Sequence, residues 1–251
     1  MKEFIKDQLK VEVSGSRHLM GIAAANAVGE KINELLKAKQ FVNIIFAAAP
    51  SQNEFLDELL KRDIDWTRIR AFHMDEYLNL DADAPQGFGN FLKERLFCKA
   101  PFKAVHYLNG NAADAEQECL RYADLLNQFP PDVVCLGIGE NTHLAFNDPH
   151  VADFNDPLLV KIVDLDNACR VQQVNDGCFA RIEDVPTHAL TLTIPALVNT
   201  PFAFAIVPGE KKADAVKHTL NAAISEKYPS TILRTHPDAT LFVDDKSGTY
   251  I

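Results

Sequence analysis

At 251 residues the chain has the length of one large domain or two small ones, and 25 basic against 35 acidic residues leave a formal net charge of −10. That acidity argues against nucleic acid or an anionic membrane as the main partner, because a phosphate backbone needs a net basic face. A local basic pocket for one small anion stays compatible with it.

The first residues, MKEFIKDQLKVEV, contain no apolar stretch like that of a secretion signal, and nowhere do eighteen apolar residues run together. The five cysteines (Cys98, Cys119, Cys135, Cys169 and Cys178) are odd in number, widely spaced and form no C-x-x-C pair. This suits reduced thiols in a cytoplasmic protein better than a disulfide frame or a zinc site. No repeat, low-complexity tract or charge block divides the chain, so one domain over 1–251 is expected.

In chain order, 18–39 carries Leu19, Ile22, Ala25, Ile32, Leu35 and Leu36 on one helical face. FVNIIFAAAP (41–50) reads as a buried strand, followed by a Pro-Ser turn and the helical QNEFLDELLKR. TRIRAFHM (67–74) reads as a strand, 112–129 as a helix, and PPDVVCLGIG (130–139) as a strand broken by glycines. Further strands are read at 158–165, 188–197, 201–209 and 239–245, with a helix over 210–223. Short apolar strands separated by amphipathic helices indicate a mostly parallel sheet covered on both faces. The expected class is α/β, a three-layer αβα, Rossmann-like fold. In such sheets ligands sit beyond the carboxyl ends of the strands, which directs attention to the loops 47–52, 73–77, 137–149 and 207–212.

HMDEY ends a strand in Asp75 and Glu76. A carboxylate held there serves as a general base once its surroundings tune it, or else as a helix cap or solvated acid. His73 stands close to Asp75. In GIGENTHLAFNDP, Gly137 and Gly139 permit a tight turn or close approach of a ligand. His143 lies between Asn141 and Asp148, an arrangement that fixes an imidazole's tautomer for proton transfer, although a loop histidine is also often structural. Ser51 and Gln52, after the first strong strand, offer donors to an anion, or Ser51 merely caps the next helix. Lys211 and Lys212 open a helix where cations oppose its dipole, which an anionic ligand would explain and a solvated pair would not require.

Taken together, these loops resemble those of the glucosamine-6-phosphate deaminase (isomerase) family, relatives of 6-phosphogluconolactonase. HMDEY is similar to the family's N-M-D-E-Y, and GIGENTHLAFNDP to its G-I-G-E-D-G-H-I-A-F-N-E-P. The 188–216 segment resembles A-L-T-V-G-x-x-x-L with the following G-x-x-K-A, and THPDATLFVDDKS resembles L-H-P-x-x-x-x-x-x-D. The resemblance implies that Asp75 moves a proton between C1 and C2 of an opened amino sugar and that His143 opens the ring, with Asn141 and Asp148 orienting it. It further implies that Lys212, Ser51, Gln52 and Arg170 hold a phosphate, and that Gly137 and Gly139 shape the site. The implied ligand is a small sugar phosphate, with no metal or organic cofactor, no nucleic acid and no membrane; the family allows a homo-oligomer. Galactosamine 6-phosphate isomerisation, 6-phosphogluconolactone hydrolysis and a catalytically silent sugar-phosphate-binding domain are the alternatives.

Four departures stand out. The family's aspartate before the histidine is Asn141, and its glutamate is Asp148, one methylene shorter. Ala49 and Pro50 replace the glycines of the phosphate loop, which removes backbone donors. CRVQQVNDGCF (169–179) keeps Arg170 but shows no match to a second arginine.

Overall fold

The computed structural model describes residues 2–251. Residues 2–13, to which the sequence pattern assigns no element, form a hairpin of β1 (Lys2–Lys6) and β2 (Leu9–Val13). α1 (Arg17–Ala38) begins at Ser16, whose hydroxyl accepts from the Leu19 N–H and caps the first turn. There follow β3 (Val42–Phe46), α2 (Asn53–Leu59), β4 (Ile69–His73), β5 (Asp75–Tyr77) and α3 (Phe88–Leu92). Next come β6 (Ala104–His106), α4 (Ala115–Gln128), β7 (Val133–Leu136), β8 (Val160–Asp164) and α5 (Asn167–Asn175). The chain finishes with β9 (His188–Leu192), α6 (Ile194–Val198), β10 (Phe202–Val207), α7 (Ala213–Asn221) and β11 (Ala239–Val243).

Eight strands make the main sheet in the order β1-β2-β11-β10-β7-β3-β4-β6. All neighbours are parallel except the β1–β2 hairpin. Alternate side chains feed two separate cores. Val42, Ile44 and Phe46 of β3 pack with Met20, Val28 and Ile32 of α1, while Ile45 packs on the opposite face with Tyr122 of α4 and Val216 of α7. A strand apolar on both faces is therefore a central strand of a three-layer αβα domain. The order runs outward from β3 to β4 and β6, then returns to the other side of β3 at β7. The crevice between the ends of β3 and β7 is thus the topological switch point.

Three expectations change. β8 and β9 do not join the main sheet; with β5 they form a separate antiparallel sheet in the order β5-β9-β8. The strand expected over 188–197 stops at Leu192, because Thr193 accepts the Ala196 N–H and Pro195 supplies no donor for a ladder, so α6 begins there. The first turn of the 210–223 helix is a 3₁₀ turn, Glu210–Lys212. No helix among the described residues is long and apolar enough to cross a membrane.

Candidate active site

One pocket opens at the switch point. The loop after β3 contributes Ala47, Ala48, Ala49 and Ser51, the loop after β7 contributes Gly137, Gly139 and His143, and Asp75, Gln172, Gln173 and Lys212 complete the wall.

Asp75 sits where the chain leaves the main sheet and enters the small one. The Met74 carbonyl accepts the Leu192 N–H, and Asp75 is paired with Thr191. His73, fully buried, braces the Asp75 backbone: its Nε2 accepts the Leu108 N–H at 3.0 Å, which leaves a proton on Nδ1 to donate to the Asp75 carbonyl at 2.9 Å. Burial pushes the His73 imidazole down to about 4, so it remains neutral and structural. Asp75 is 7% exposed and lines the pocket, and its carboxyl accepts no hydrogen bond among the described residues. Burial, reinforced by the neighbouring Glu76 charge, holds it well above the usual carboxylate range. Glu76 itself points away, accepting the N–H groups of Tyr77, Phe88 and Gly89.

His143 is held from one side. Its Nδ1 lies 2.8 Å from Asp148 Oδ1, so the buried carboxylate selects the Nδ1–H tautomer and leaves the Nε2 lone pair free. No described residue hydrogen-bonds Nε2. Burial opposes ionisation of Asp148, but the hydrogen bond and charge of His143, the Asn141 amide and the Asp166 N–H outweigh it and keep its carboxyl below the usual range. Asn141 does not touch the imidazole, contrary to the role expected of it. Its Oδ1 accepts the His143 N–H at 3.1 Å, closing an Asx turn, and its Nδ2 donates to Asp148 Oδ1 at 2.9 Å. It orients the carboxylate, and the carboxylate orients the ring. Thr142, where the family pattern has glycine, adopts a φ of 73°, and Ala145 a φ of 51°. Both conformations are unusual for residues with a Cβ, and they bracket the histidine.

Gly139 is required by contact. A Cβ there would stand 2.2 Å from His143 Nε2. Gly139→Ala is therefore expected to displace the ring and cut any turnover that depends on Nε2 by about 10²-fold, with an unchanged far-UV circular dichroism spectrum. A variant with wild-type rates would show that the ring position is immaterial.

The far end of the pocket holds a buried cation. Lys211 and Lys212 separate: Lys211 donates to the Asn175 carbonyl at 2.9 Å, while Lys212 is 7% exposed and its ammonium has neither an ion pair nor a hydrogen bond among the described residues. Burial pulls the Lys212 ammonium down, against the charges of Asp176 and Glu140 that favour it. Its turn is fixed by Gly209, at a φ of 94°, whose N–H donates to buried Asp244 Oδ1 at 3.0 Å. Ser51 faces Lys212's pocket, its Oγ accepting from Gln52 Nε2 at 3.2 Å, so its O–H remains available.

Two expected ligand-binding residues lie elsewhere. Gln52 is buried behind the wall, where its Nε2 also donates to the Ile206 carbonyl at 3.1 Å and ties the β3 loop to β10. Arg170 turns away from the pocket and donates to the carbonyls of Ile182 and Val185, at 2.7 and 3.0 Å, closing the 182–185 turn. The next turn of α5 faces the site instead. Gln172 accepts the Glu140 N–H at 2.8 Å, and Gln173 lines the pocket with no side-chain hydrogen bond among the described residues. Residues three apart share a helical face, so Gln173 was within reach of the sequence pattern as Arg170's neighbour on α5; it is the reach of the Arg170 side chain to the 182–185 turn that takes it off the site.

Ligating atoms of His143, Asp148 and Cys169 lie within 4.8 Å of one another, as do those of Asp148, His150 and Asp166. These donors are committed to each other: Asp148 holds His143 and Asn141, and burial, followed by the charges of Asp148 and Asp166, drives the Cys169 thiol far up. A protonated thiol is a poor metal ligand.

Comparisons with known proteins bear on the family and the fold. The family described as glucosamine-6-phosphate isomerases/6-phosphogluconolactonase matches residues 16–242. Glucosamine-6-phosphate deaminases of Bacillus thuringiensis (strain Al Hakam) and Bacillus cereus (strain AH820) are each 37% identical over 223 residues, 89% of this chain and 83% of theirs. Among solved structures, a monomeric glucosamine-6-phosphate deaminase superposes with a TM-score of 0.88 at 27% identity, covering 96% of this chain and 99% of that one. The 6-phosphogluconolactonase of Thermotoga maritima shares the fold, with a TM-score of 0.76 at 21% identity over 93% of this chain and 98% of that one.

Proposed function

Because the chain belongs to the family of glucosamine-6-phosphate isomerases and 6-phosphogluconolactonases, we propose that it isomerises a hexosamine 6-phosphate, glucosamine 6-phosphate in the first instance, and releases ammonia from it. The observation that carries this reading is the pairing of two free proton carriers in one pocket: the unbonded Asp75 carboxyl and the unbonded Nε2 of His143. Such a reaction needs two kinds of proton transfer. His143 takes the hydroxyl proton at C1 and returns a proton to the ring oxygen, so the ring C–O bond breaks and an aldehyde forms. Asp75 then removes the C2 proton and returns a proton to C1, while O1 takes up one proton and the C2 nitrogen gives one up, so that the aldehyde becomes a hydroxymethyl group. This leaves an imine at C2, which adds water and loses ammonia. Lys212, with the Ser51 hydroxyl, meets the phosphate at the opposite end, and Gln173 is placed to donate to it.

The test is incubation with glucosamine 6-phosphate in D₂O, followed by proton NMR and an ammonia assay. Loss of the C2 proton signal with ammonia release is the expected result; an unchanged spectrum and no ammonia would overturn the substrate. Galactosamine 6-phosphate run in parallel reads the epimer. Hydrolysis of 6-phosphogluconolactone is the second reading, favoured by the Asp148–His143 pair alone, because Nε2 so held also suits activation of water. It has no use for the unbonded Asp75.

The phosphate end carries one buried lysine where a phosphate readily employs more charge. Gln173→Arg is accordingly expected to lower KM for a sugar 6-phosphate by about tenfold, a charge-assisted bond replacing a neutral one, with kcat little altered. An unchanged or higher KM would place the phosphate away from α5.

A further inference from the structure

We propose that Asp166 is a positioning residue of the proton-transfer site, and that it is the reason position 141 carries an amide. Asp166 stands at the start of α5, where its carbonyl accepts the Arg170 N–H at 3.1 Å, and makes three further polar contacts. Its Oδ1 accepts the Cys169 N–H at 2.6 Å and caps the helix that bears Gln172 and Gln173. Its own N–H reaches Asp148 Oδ2 at 3.4 Å. Its Oδ2 accepts from Asn141 Nδ2 at 3.3 Å, and the same nitrogen donates to Asp148 Oδ1 at 2.9 Å.

Asn141 therefore sits between two carboxylates and supplies one hydrogen to each. The orientation of its amide follows from this, since Oδ1 must face the His143 N–H and Nδ2 the two acids. A carboxylate at position 141, as in the family pattern, would turn two donations into two repulsions. Asp166 and Asn141 thus form a matched pair, and the pair sets the orientation of Asp148 and through it the His143 ring. The other titratable groups facing this cluster are the Cys169 thiol of α5, Asp75 of β5 and His150, whose Nε2 is paired with exposed Asp164 at 3.1 Å.

The test uses Asn141→Asp, Asp166→Asn and the double variant of the full chain. The kinetic arm rests on the proposed reaction; a second arm, the NMR titration of the His143 ring in the free protein, does not. Asn141→Asp is expected to lower kcat by about 10- to 100-fold and to move the His143 titration upward relative to the wild-type protein, because the added negative charge favours imidazolium. Adding Asp166→Asn supplies a new amide donor to the carboxylate introduced at position 141. The double variant should then be at least about tenfold more active than the product of the single effects, with the His143 titration moved back toward wild type. Asparagine also caps helices as well as aspartate, so a mere capping role leaves the two effects on kcat independent and the His143 titration of the double variant where Asn141→Asp alone puts it. Either of those results overturns the proposal. If no amino sugar is turned over but the titration shifts and reverts, the pairing stands and only the assigned reaction fails.

Discussion

Asp75→Asn is expected to lower isomerisation by about 10³-fold or more and, at the same time, to raise the thermal midpoint of unfolding. The two effects have one cause. The carboxyl is buried and unbonded, so its folded-state pKa lies well above the ordinary value of 3.8. A raised carboxyl pKa means the folded state binds the proton more tightly than the unfolded state. Stability from this group is then full below the unfolded pKa and is lost as pH rises through the folded one. At neutral pH the wild-type protein bears that penalty, and an amide of the same shape removes it. Catalysis needs the charged form to accept the C2 proton, so wild-type kcat should fall on the acid side at a pH well above that of an ordinary aspartate. Melting curves and a pH–rate profile of both proteins measure this. A variant that retains full activity ends the assignment of Asp75 as the base. Equal midpoints above neutral pH contradict its being a buried, unpaired carboxyl.

His143→Asn is expected to reduce turnover by about 10²- to 10⁴-fold, with the fold retained, because the shorter amide can still donate to Asp148 and leaves no unpaired buried charge. Its decisive use is in combination with Asp75→Asn. If both variants lose activity toward the amino sugar phosphate, the isomerase reading holds. If the protein instead hydrolyses 6-phosphogluconolactone and only His143→Asn abolishes it, the second reading replaces the first. The base of that reaction then needs no partner at position 75. Because Asp148 is held below the usual carboxylate range, it stays ionised throughout a neutral or mildly acidic assay and keeps the Nδ1–H tautomer. Changes of rate in that window therefore report on groups other than Asp148, Asp75 first among them.

Much of the scaffold is legible in the residue pattern. The strands at β3, β7 and β10 are runs of apolar residues too short and too β-branched to be helices, and β3 proves to be buried on both faces. The elements that escape are those whose local pattern is weak. β1 (KEFIK) shows no alternation, β2 (LKVEV) alternates over only five residues, and three-residue β5 and β6 have too few residues to show a period. β8 and β9 look like core strands, yet their membership in a second sheet depends on pairing with β5, a partner distant in sequence.

For the site, residue type and place at the strand ends made candidates of Asp75 and Glu76, of His143 with Asn141 and Asp148, of Lys211 and Lys212 and of the two loop glycines, since an α/β fold keeps its ligands there. The family resemblance singled out Asp75 and Lys212 among them. What tertiary structure decided was which atoms meet. Asn141 binds Asp148 and not the imidazole, Arg170 closes a turn while Gln173 faces the pocket, Lys211 and Lys212 part company, and Gln52 serves the backbone of β10. Residue type and period are properties of the sequence itself. The direction of a side chain whose partner lies twenty-five residues or more away, as Asp166 lies from Asn141, is not, because that direction is set by the packing of separate elements around one crevice.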